Sequence, residues 1–160
     1  MLTNAQNTDL RNAIQNETDP VFVGYRTEGA TGLMAGWFNQ AVTPAVLAWK
    51  TATVKDIDEA PSYTTYDSLT QGKRDSWERF LAFDRDFSRA KVRRWVVDVW
   101  GNATANSNSE AILQAGTRPI TRGENVLGGT NSSTEGTVTA RRLTWEGFIT
   151  NDYIVRAVNS

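Results

Sequence analysis

The chain has 160 residues, and 17 Lys and Arg against 18 Asp and Glu give it a formal net charge of −1. This length fits one domain, or one domain with an arm, and the balanced charge gives no whole-molecule argument for binding nucleic acid or an anionic membrane. The absence of His and Cys excludes disulfides, Cys- or His-ligated metal sites and His-dependent catalytic triads.

The same composition sets expectations about class and location. No apolar run approaches 18 residues, and the first residues lack the basic and apolar regions of a secretory signal. We therefore expect a soluble protein without membrane partners, made in the cytoplasm. Asp, Glu, Lys and Tyr remain as catalytic groups, but no recognised catalytic pattern accompanies them, so we predict no enzyme activity and no cofactor.

Three helices are predicted in the first forty residues. Thr3 and Gln6 have the spacing of a capping box, in which each side chain bonds the other residue's backbone N–H. Asp19 followed by Pro20 is typical of an N-cap with proline in the first turn. A third apolar stripe begins near Thr31.

The middle of the chain predicts further helices. Residues 45–51 could be extended or helical, 54–59 form a helical turn, and 69–83 carry a longer apolar face. The best amphipathic helix follows an N-cap at Ser88 and ends at Gly101, with apolar residues at i, i+3, i+4 and i+7. Two more capping boxes, at 107–110 and 121–124, start short helices.

The composition changes after residue 127. Residues 128–136 are rich in Gly, Ser and Thr and are typical of a flexible linker. Residues 137–145 and 153–158 are β-like runs separated by a turn signal at 151–152. The predicted fold is therefore mainly α: a small helical bundle (1–127), a flexible linker (128–136) and a C-terminal extended β-hairpin arm (137–160).

An isolated hairpin is marginally stable in water and its edges favour pairing with another strand. The arm therefore either folds onto the body or completes a sheet on a neighbouring chain. In the second case, truncation after Gly128 should leave a folded body that no longer assembles.

Charge is unevenly distributed along the chain. Residues 73–94 hold eight basic side chains against four acidic ones, whereas residues 1–60 hold four against seven. The simpler interpretation is solvated helix faces with i,i+4 pairing, and the functional one is an acidic-to-basic contact between identical subunits or a basic face near DNA. The acidic group Asp56, Asp58 and Glu59 lacks the spacing of a calcium loop.

An ordered series of short segments resembles a family of small structural proteins of tailed bacteriophages, the head–tail connector proteins (neck adaptor or head-completion proteins). Residues 39–51 and 69–80 resemble two of its motifs, 88–93 resembles its S-K-A-N-V-R segment, and 121–124 and 143–147 resemble its T-R-A-E and L-T-F-E-G segments. The resemblance covers most of residues 18–150.

The resemblance implies a ring-forming adaptor in the neck of the virion, joining the portal to the tail. Its partners would be further copies of itself, twelve by analogy with portals, together with portal and tail proteins and non-specific contact with packaged DNA. The residues expected to dock on the portal or a neighbour are Arg141, Arg142, Leu143, Trp145, Tyr153, Ile154 and Val155. Lateral or lumen-facing basic contacts are expected from Arg89, Arg93 and Arg94.

Two alternatives remain open at this point. The chain could be another virion component, such as a tail-associated or decoration protein. It could also be a small helical DNA-binding regulator that uses the basic helix over 88–100, although no base-reading motif accompanies that helix.

Overall fold

The computed structural model describes all 160 residues, of which 52% are helical. The helices are α1 (Asn4–Asn16), α2 (Pro20–Thr27), α3 (Thr31–Phe38), α4 (Val54–Asp58), α5 (Tyr63–Tyr66), α6 (Gln71–Leu81), α7 (Ala90–Trp100), α8 (Asn108–Ala115), α9 (Arg122–Leu127) and α10 (Asn151–Asn159). The strands are β1 (Leu47–Trp49), β2 (Thr51–Ala52), β3 (Arg85–Asp86), β4 (Thr117–Pro119), β5 (Ser132–Glu135) and β6 (Val138–Arg141). The prediction of a mainly α protein is confirmed, with a small mixed sheet added. None of the helices combines the length and hydrophobicity of a membrane span.

The capping signals locate the early helices correctly. Thr3 forms the predicted reciprocal box with Gln6 before α1, and the Asp19 side chain accepts the backbone N–H of Val21 before α2. Thr121 forms the same reciprocal box before α9. These local side-chain bonds satisfy N–H groups that have no partner inside the helix.

The chain divides into two compact units. Unit 1 contains residues 1–45, 119–130 and 143–160, and unit 2 contains residues 46–118 and 131–142. The units are therefore interleaved in sequence, and the predicted linker 128–136 is divided between them.

Unit 1 is helical. Its elements are α1, α2, α3, α9 and α10, and α10 packs against both α1 and α3. Its core contains the apolar stripes predicted for the first three helices, joined by residues from the end of the chain. The fully or nearly fully buried side chains include Leu10, Ile14, Phe22, Met34, Phe38, Leu127, Ile149 and Ile154.

Unit 2 combines helices α4–α8 with the sheet. The largest side chains of its core are aromatic, and Trp77 stacks on Phe80 with ring centroids 5.0 Å apart. Burial of such rings contributes most of the free energy of packing in a core this size. The core side chains include Trp49, Ile57, Trp77, Phe80, Phe87, Val96, Val99, Ile112 and Leu113.

The main sheet has the strand order β4-β1-β6-β5. β6 lies parallel to β1, with Ala48 opposite Arg141, and antiparallel to β5, with Ser132 opposite Arg141 and Glu135 opposite Val138. β2 and β3 form a separate two-stranded sheet. The segment 45–51, for which the sequence left two possibilities, thus contains the strand β1.

The predicted C-terminal hairpin is wrong in two respects. Its second strand is a helix, and the hairpin that does form lies earlier in the chain. The hairpin joins β5 to β6, so its first strand lies in the predicted linker and its second in the first predicted β run. It pairs with β1 of the same chain, so it is an internal part of unit 2 instead of a free arm. Gly136 opens its two-residue loop with φ 60°, a conformation that favours glycine, and an added Cβ would overlap Ala103.

The second predicted strand, 153–158, is helical. Thr150 caps α10 by accepting the backbone N–H of Tyr153. Ile154 and Ala157, three residues apart, are both fully buried, whereas Val155 and Val158 are exposed. This three-residue spacing is helical, and burial against α1 and α3 outweighs the strand preference of the β-branched residues.

Candidate functional site

A basic cavity of about 340 Å³ lies within unit 2, between the N-terminus of α7 and the hairpin. Ligand pockets typically begin near 300 Å³, so this volume fits a small group and no large cofactor. Eight residues line the cavity: Ser88, Arg89, Ala90, Arg93, Asn131, Ser132, Ser133 and Arg142. Three of them are arginines.

Arg93 is the buried cation of this cavity. Its side chain is 4% exposed, and its guanidinium carbon lies 4.7 Å from the centroid of the Trp49 ring. Its Nη1 donates to the Phe87 carbonyl at 2.6 Å, whereas its buried Nε has no hydrogen-bond partner. The cation–π contact and one carbonyl therefore compensate only part of the cost of burying this charge.

Trp49 contacts both walls of the cavity, the one formed by α7 and the one formed by β5. Its ring is buried in the core, and its Nε1–H donates to the Ser133 Oγ at 2.8 Å. The hydrogen bond places a β5 side chain next to the ring on which Arg93 rests. As a result, the positions of Arg93 and Ser133 are fixed by the same tryptophan.

The cavity is positively charged. No salt bridge joins a carboxylate to Arg89, Arg93 or Arg142. Burial lowers the pKa of Arg93; Arg142 lowers it further, while Glu135 and Asp86 act in the opposite direction. Arg93 stays protonated at neutral pH, because the pKa of an arginine side chain lies far above neutrality.

The N-terminus of α7 opens onto the same cavity. Ser88 was predicted to cap this helix, but the cap residue is Arg89, and no side chain accepts a hydrogen bond from the first turn. The Ser88 backbone N–H donates instead to Asp86 Oδ1 at 2.9 Å, and its side chain lines the cavity. The uncapped N–H groups and the helix dipole add positive potential to that of the arginines.

β5 forms an open edge of the sheet next to the cavity. The register pairs β5 only with β6, and the Arg142 N–H donates to the Asn131 carbonyl at 2.9 Å. In an antiparallel ladder, hydrogen-bonded and non-hydrogen-bonded pairs alternate. Residues 131, 133 and 135 therefore bond to the neighbouring strand, and the backbone groups of Ser132 and Thr134 point away from the sheet.

The predicted docking residues are divided between the two units. Arg141 and Arg142 belong to unit 2, whereas the other five belong to unit 1. Arg142 and Val155 are exposed, Ile154 is fully buried, and the remaining four (Arg141, Leu143, Trp145 and Tyr153) are partly buried. Ile154 packs in the core of unit 1 and is unsuited to docking because its side chain has no access to solvent.

The three predicted lateral or lumen-facing arginines also differ. Arg89 and Arg94 are exposed on α7, and Arg89 lines the cavity. Arg93 is buried between α7 and Trp49, so the prediction of an outward-facing basic contact is wrong for this residue. The apolar stripe of α7 faces the core, and Arg93 lies beside Val96 on that buried side.

The acidic residues that follow β2 bond to neighbouring side chains. Asp56 forms an ion pair with Lys50 at 3.3 Å, and hydrogen bonds from Lys50 and Thr53 lower the pKa of the Asp56 carboxyl. Asp58 accepts a hydrogen bond from the Tyr63 hydroxyl. No group of three or more acidic side chains is arranged to hold a metal ion.

Comparison with known proteins gives no relative: no family model, no curated protein and no solved structure matches this chain.

Sequence reasoning missed three residues of the cavity, Asn131, Ser132 and Ser133, and the Trp49 ring beneath it. They were missed because 128–136 was interpreted as a linker. A signal was present: apolar and polar residues alternate over Val138–Arg141 directly after the pair Gly136-Thr137, and Gly-X before such a run favours a two-residue hairpin loop.

Proposed function

We propose that this chain is a structural protein of a tailed-phage virion: a ring-forming adaptor of the neck that joins the portal to the tail. The ordered resemblance of residues 18–150 to connector proteins supports this role. The observation that carries the mechanism is the open edge of the sheet, where Ser132 and Thr134 present unpaired backbone groups.

An open strand edge suits assembly into a ring. It provides hydrogen-bond donors and acceptors that an extended segment of a neighbour can pair by strand addition. A ring of identical subunits needs contacts between two different patches, one of which receives while the other inserts. In this proposal β5 is the receiving patch, because the hairpin that was expected to insert into a neighbour is paired with β1 in its own chain.

The DNA-binding regulator is not favoured. Its recognition helix would be α7, yet the apolar face of α7 and its Arg93 are buried in the core of unit 2. Of the three arginines on which that helix would depend, only Arg89 and Arg94 are exposed, and no base-reading motif accompanies them.

A proline at position 134 tests the open edge. Because the Thr134 N–H points away from the sheet, Thr134→Pro should keep the bonds between β5 and β6 while removing a donor from the edge. Thr134→Val is the matched control, because each variant loses the hydrogen bond between the Thr134 and Thr139 hydroxyls, 2.7 Å apart. We expect rings from the wild type and the valine variant by native mass spectrometry, and monomers from the proline variant with an unchanged circular dichroism spectrum. Equal assembly of both variants would exclude β5 as the receiving edge.

Electron microscopy of virus particles made without this protein tests the proposed role in the neck. Filled heads without tails, or heads that leak DNA, are expected if the chain completes the neck. Intact tailed particles missing only a surface protein would support a decoration protein and contradict the adaptor.

A further inference from the structure

The cavity of unit 2 contains an incomplete cation site. Arg93 is 96% removed from solvent, its Nε has no hydrogen-bond acceptor, and no carboxylate forms an ion pair with it, although the charges of Glu135 and Asp86 act on it from a greater distance. Buried charges in proteins are ordinarily paired, because an unpaired one loses its hydration without compensation. The missing partner is therefore an anion that enters the cavity.

Several further donors converge on the same space. Arg89 and Arg142 line the cavity, as do Ser132 and Ser133. The first turn of α7 has no side-chain cap; the Val92 N–H bonds to the Arg89 carbonyl, whereas the N–H of Ala90, which lines the cavity, has no partner in the protein. Backbone N–H groups at a helix N-terminus combined with arginines and hydroxyl groups are the donor set that proteins use for phosphate.

The number of donors distinguishes between the possible anions. A carboxylate offers two oxygens in one plane, which one arginine fork can satisfy. Here three arginines and a helix terminus line about 340 Å³, a space that admits a tetrahedral oxoanion and lets it accept hydrogen bonds from several directions. Arg93 rests on Trp49 and donates to Phe87, so one of the three is held in place before any ligand arrives.

We propose that this cavity binds a phosphate group through Arg89, Arg93, Arg142 and the N-terminus of α7. The phosphate is either a free ion or part of a nucleic-acid backbone, since both present the same oxygens to the cavity. The site is independent of the proposed neck role, because it depends only on the geometry within unit 2.

The first experiment measures binding of inorganic phosphate to the full chain by isothermal titration calorimetry, with sodium chloride at equal ionic strength as the reference. Arg142→Gln and Arg89→Gln remove exposed guanidinium groups that line the cavity. Arg94→Gln removes the same charge from the same helix outside the cavity and is the matched control. We expect saturable binding by the wild type and R94Q, and about tenfold weaker binding or more by R89Q and R142Q.

The second experiment distinguishes the source of the phosphate. A short DNA duplex is titrated against each variant by fluorescence anisotropy. Binding that R142Q weakens and R94Q leaves unchanged assigns the site to a nucleic-acid backbone, and binding of inorganic phosphate without DNA assigns it to the free ion. Both results support the cavity as a phosphate site.

Three results would overturn the proposal. Heats with phosphate that match those with chloride would show that no site exists. Equal weakening by R94Q and R142Q would show general electrostatic attraction. Binding of acetate or a glutamate-rich peptide in the absence of phosphate binding would make the ligand a carboxylate.

Discussion

Arg85 holds together the end of α6 and the aromatic side of unit 2. Its guanidinium carbon lies 5.1 Å from the Phe80 ring centroid and 5.0 Å from that of Trp95. Its Nε and Nη2 donate to the carbonyls of Phe80 and Arg79, each at 2.6 Å. Those carbonyls belong to the last turn of α6, where a cation also meets the negative end of the helix dipole.

Replacing Arg85 by Lys tests whether these contacts depend on the positive charge alone or also on the planar guanidinium group. Lysine keeps the charge but loses the planar geometry that stacks on rings and donates to two carbonyls at once. We expect Arg85→Lys to lower the free energy of unfolding by about 2 kcal/mol in urea titrations. Arg94→Lys, on the exposed side of α7, should change it by less than about 0.5 kcal/mol. Equal effects would contradict the role assigned to Arg85.

The Tyr63 hydroxyl has a raised pKa because it donates a hydrogen bond to the Asp58 carboxylate. This hydrogen bond, together with burial and the Asp58 charge, raises the pKa of Tyr63 from an ordinary value of 10.0 to about 12. The raised pKa belongs to the folded state, so the stability that it contributes is complete below pH 10 and is lost as pH rises toward 12.

Tyrosine-ring NMR across pH 9–12 measures this pKa directly. The Tyr63 signal should remain that of a neutral phenol at pH 10.5, and in Asp58→Asn its transition should move toward 10. An unchanged transition in the variant would show that Asp58 does not control the titration.

At the scale of elements, α10 is the clearest case of tertiary contacts deciding a conformation. Its sequence contains the β-branched residues that favour strands, yet Ile154 and Ala157 bury one helical face in the core of unit 1. Isolated helices of this length are marginal in water, so most of the stability of α10 comes from that packing.

Two alanine substitutions compare the buried and exposed sides of α10. Ile154→Ala should destabilise the chain by about 3 kcal/mol, because it leaves a cavity in the core. Val155→Ala should cost less than about 1 kcal/mol, because that side chain is 38% exposed. Thermal and urea unfolding measure both, and the reverse order would support the strand that the sequence predicted.

Local signals predicted elements well, and long-range pairing could not be predicted. The boxes at Thr3 and Thr121 bond residues three apart, so the sequence alone contains both partners. β1 pairs with β6 across more than ninety residues, and no local pattern specifies that partner. The cavity depends on this pairing, so the arginines of α7 were recognised as basic while the opposite wall at 131–133 was missed.

At the scale of the whole molecule, each compact unit is assembled from separated segments. Residues after 128 supply β5 and β6 to unit 2 and Ile149, Ile154 and Ala157 to the core of unit 1. The sequence predicted that truncation after Gly128 would leave a folded body. The structure predicts the opposite, since both cores lose buried residues in that truncation.

A chain ending at Gly128 should therefore lack cooperative unfolding. Unit 1 loses Ile149, Ile154 and Ala157, and unit 2 loses Val138 and Ala140 together with the strands β5 and β6, which is more than a marginally stable fold can tolerate. We expect poorly dispersed amide signals in proton NMR and no cooperative thermal transition, whereas the full chain shows both. A well-dispersed spectrum from the truncated chain would restore the prediction of an independent body.

The packing of α1 against α10 joins two helices that are separated by more than 130 residues of sequence. At translation rates of about 5–20 residues per second, α1 waits roughly seven to thirty seconds before its partner exists. Through that interval Leu10 and Ile14 lack part of their native cover and are exposed to other nascent chains or to chaperones. Unit 1 can complete its core only after Ala157 has been made, so a ribosome paused before that residue holds a polypeptide whose helix α1 still lacks its partner.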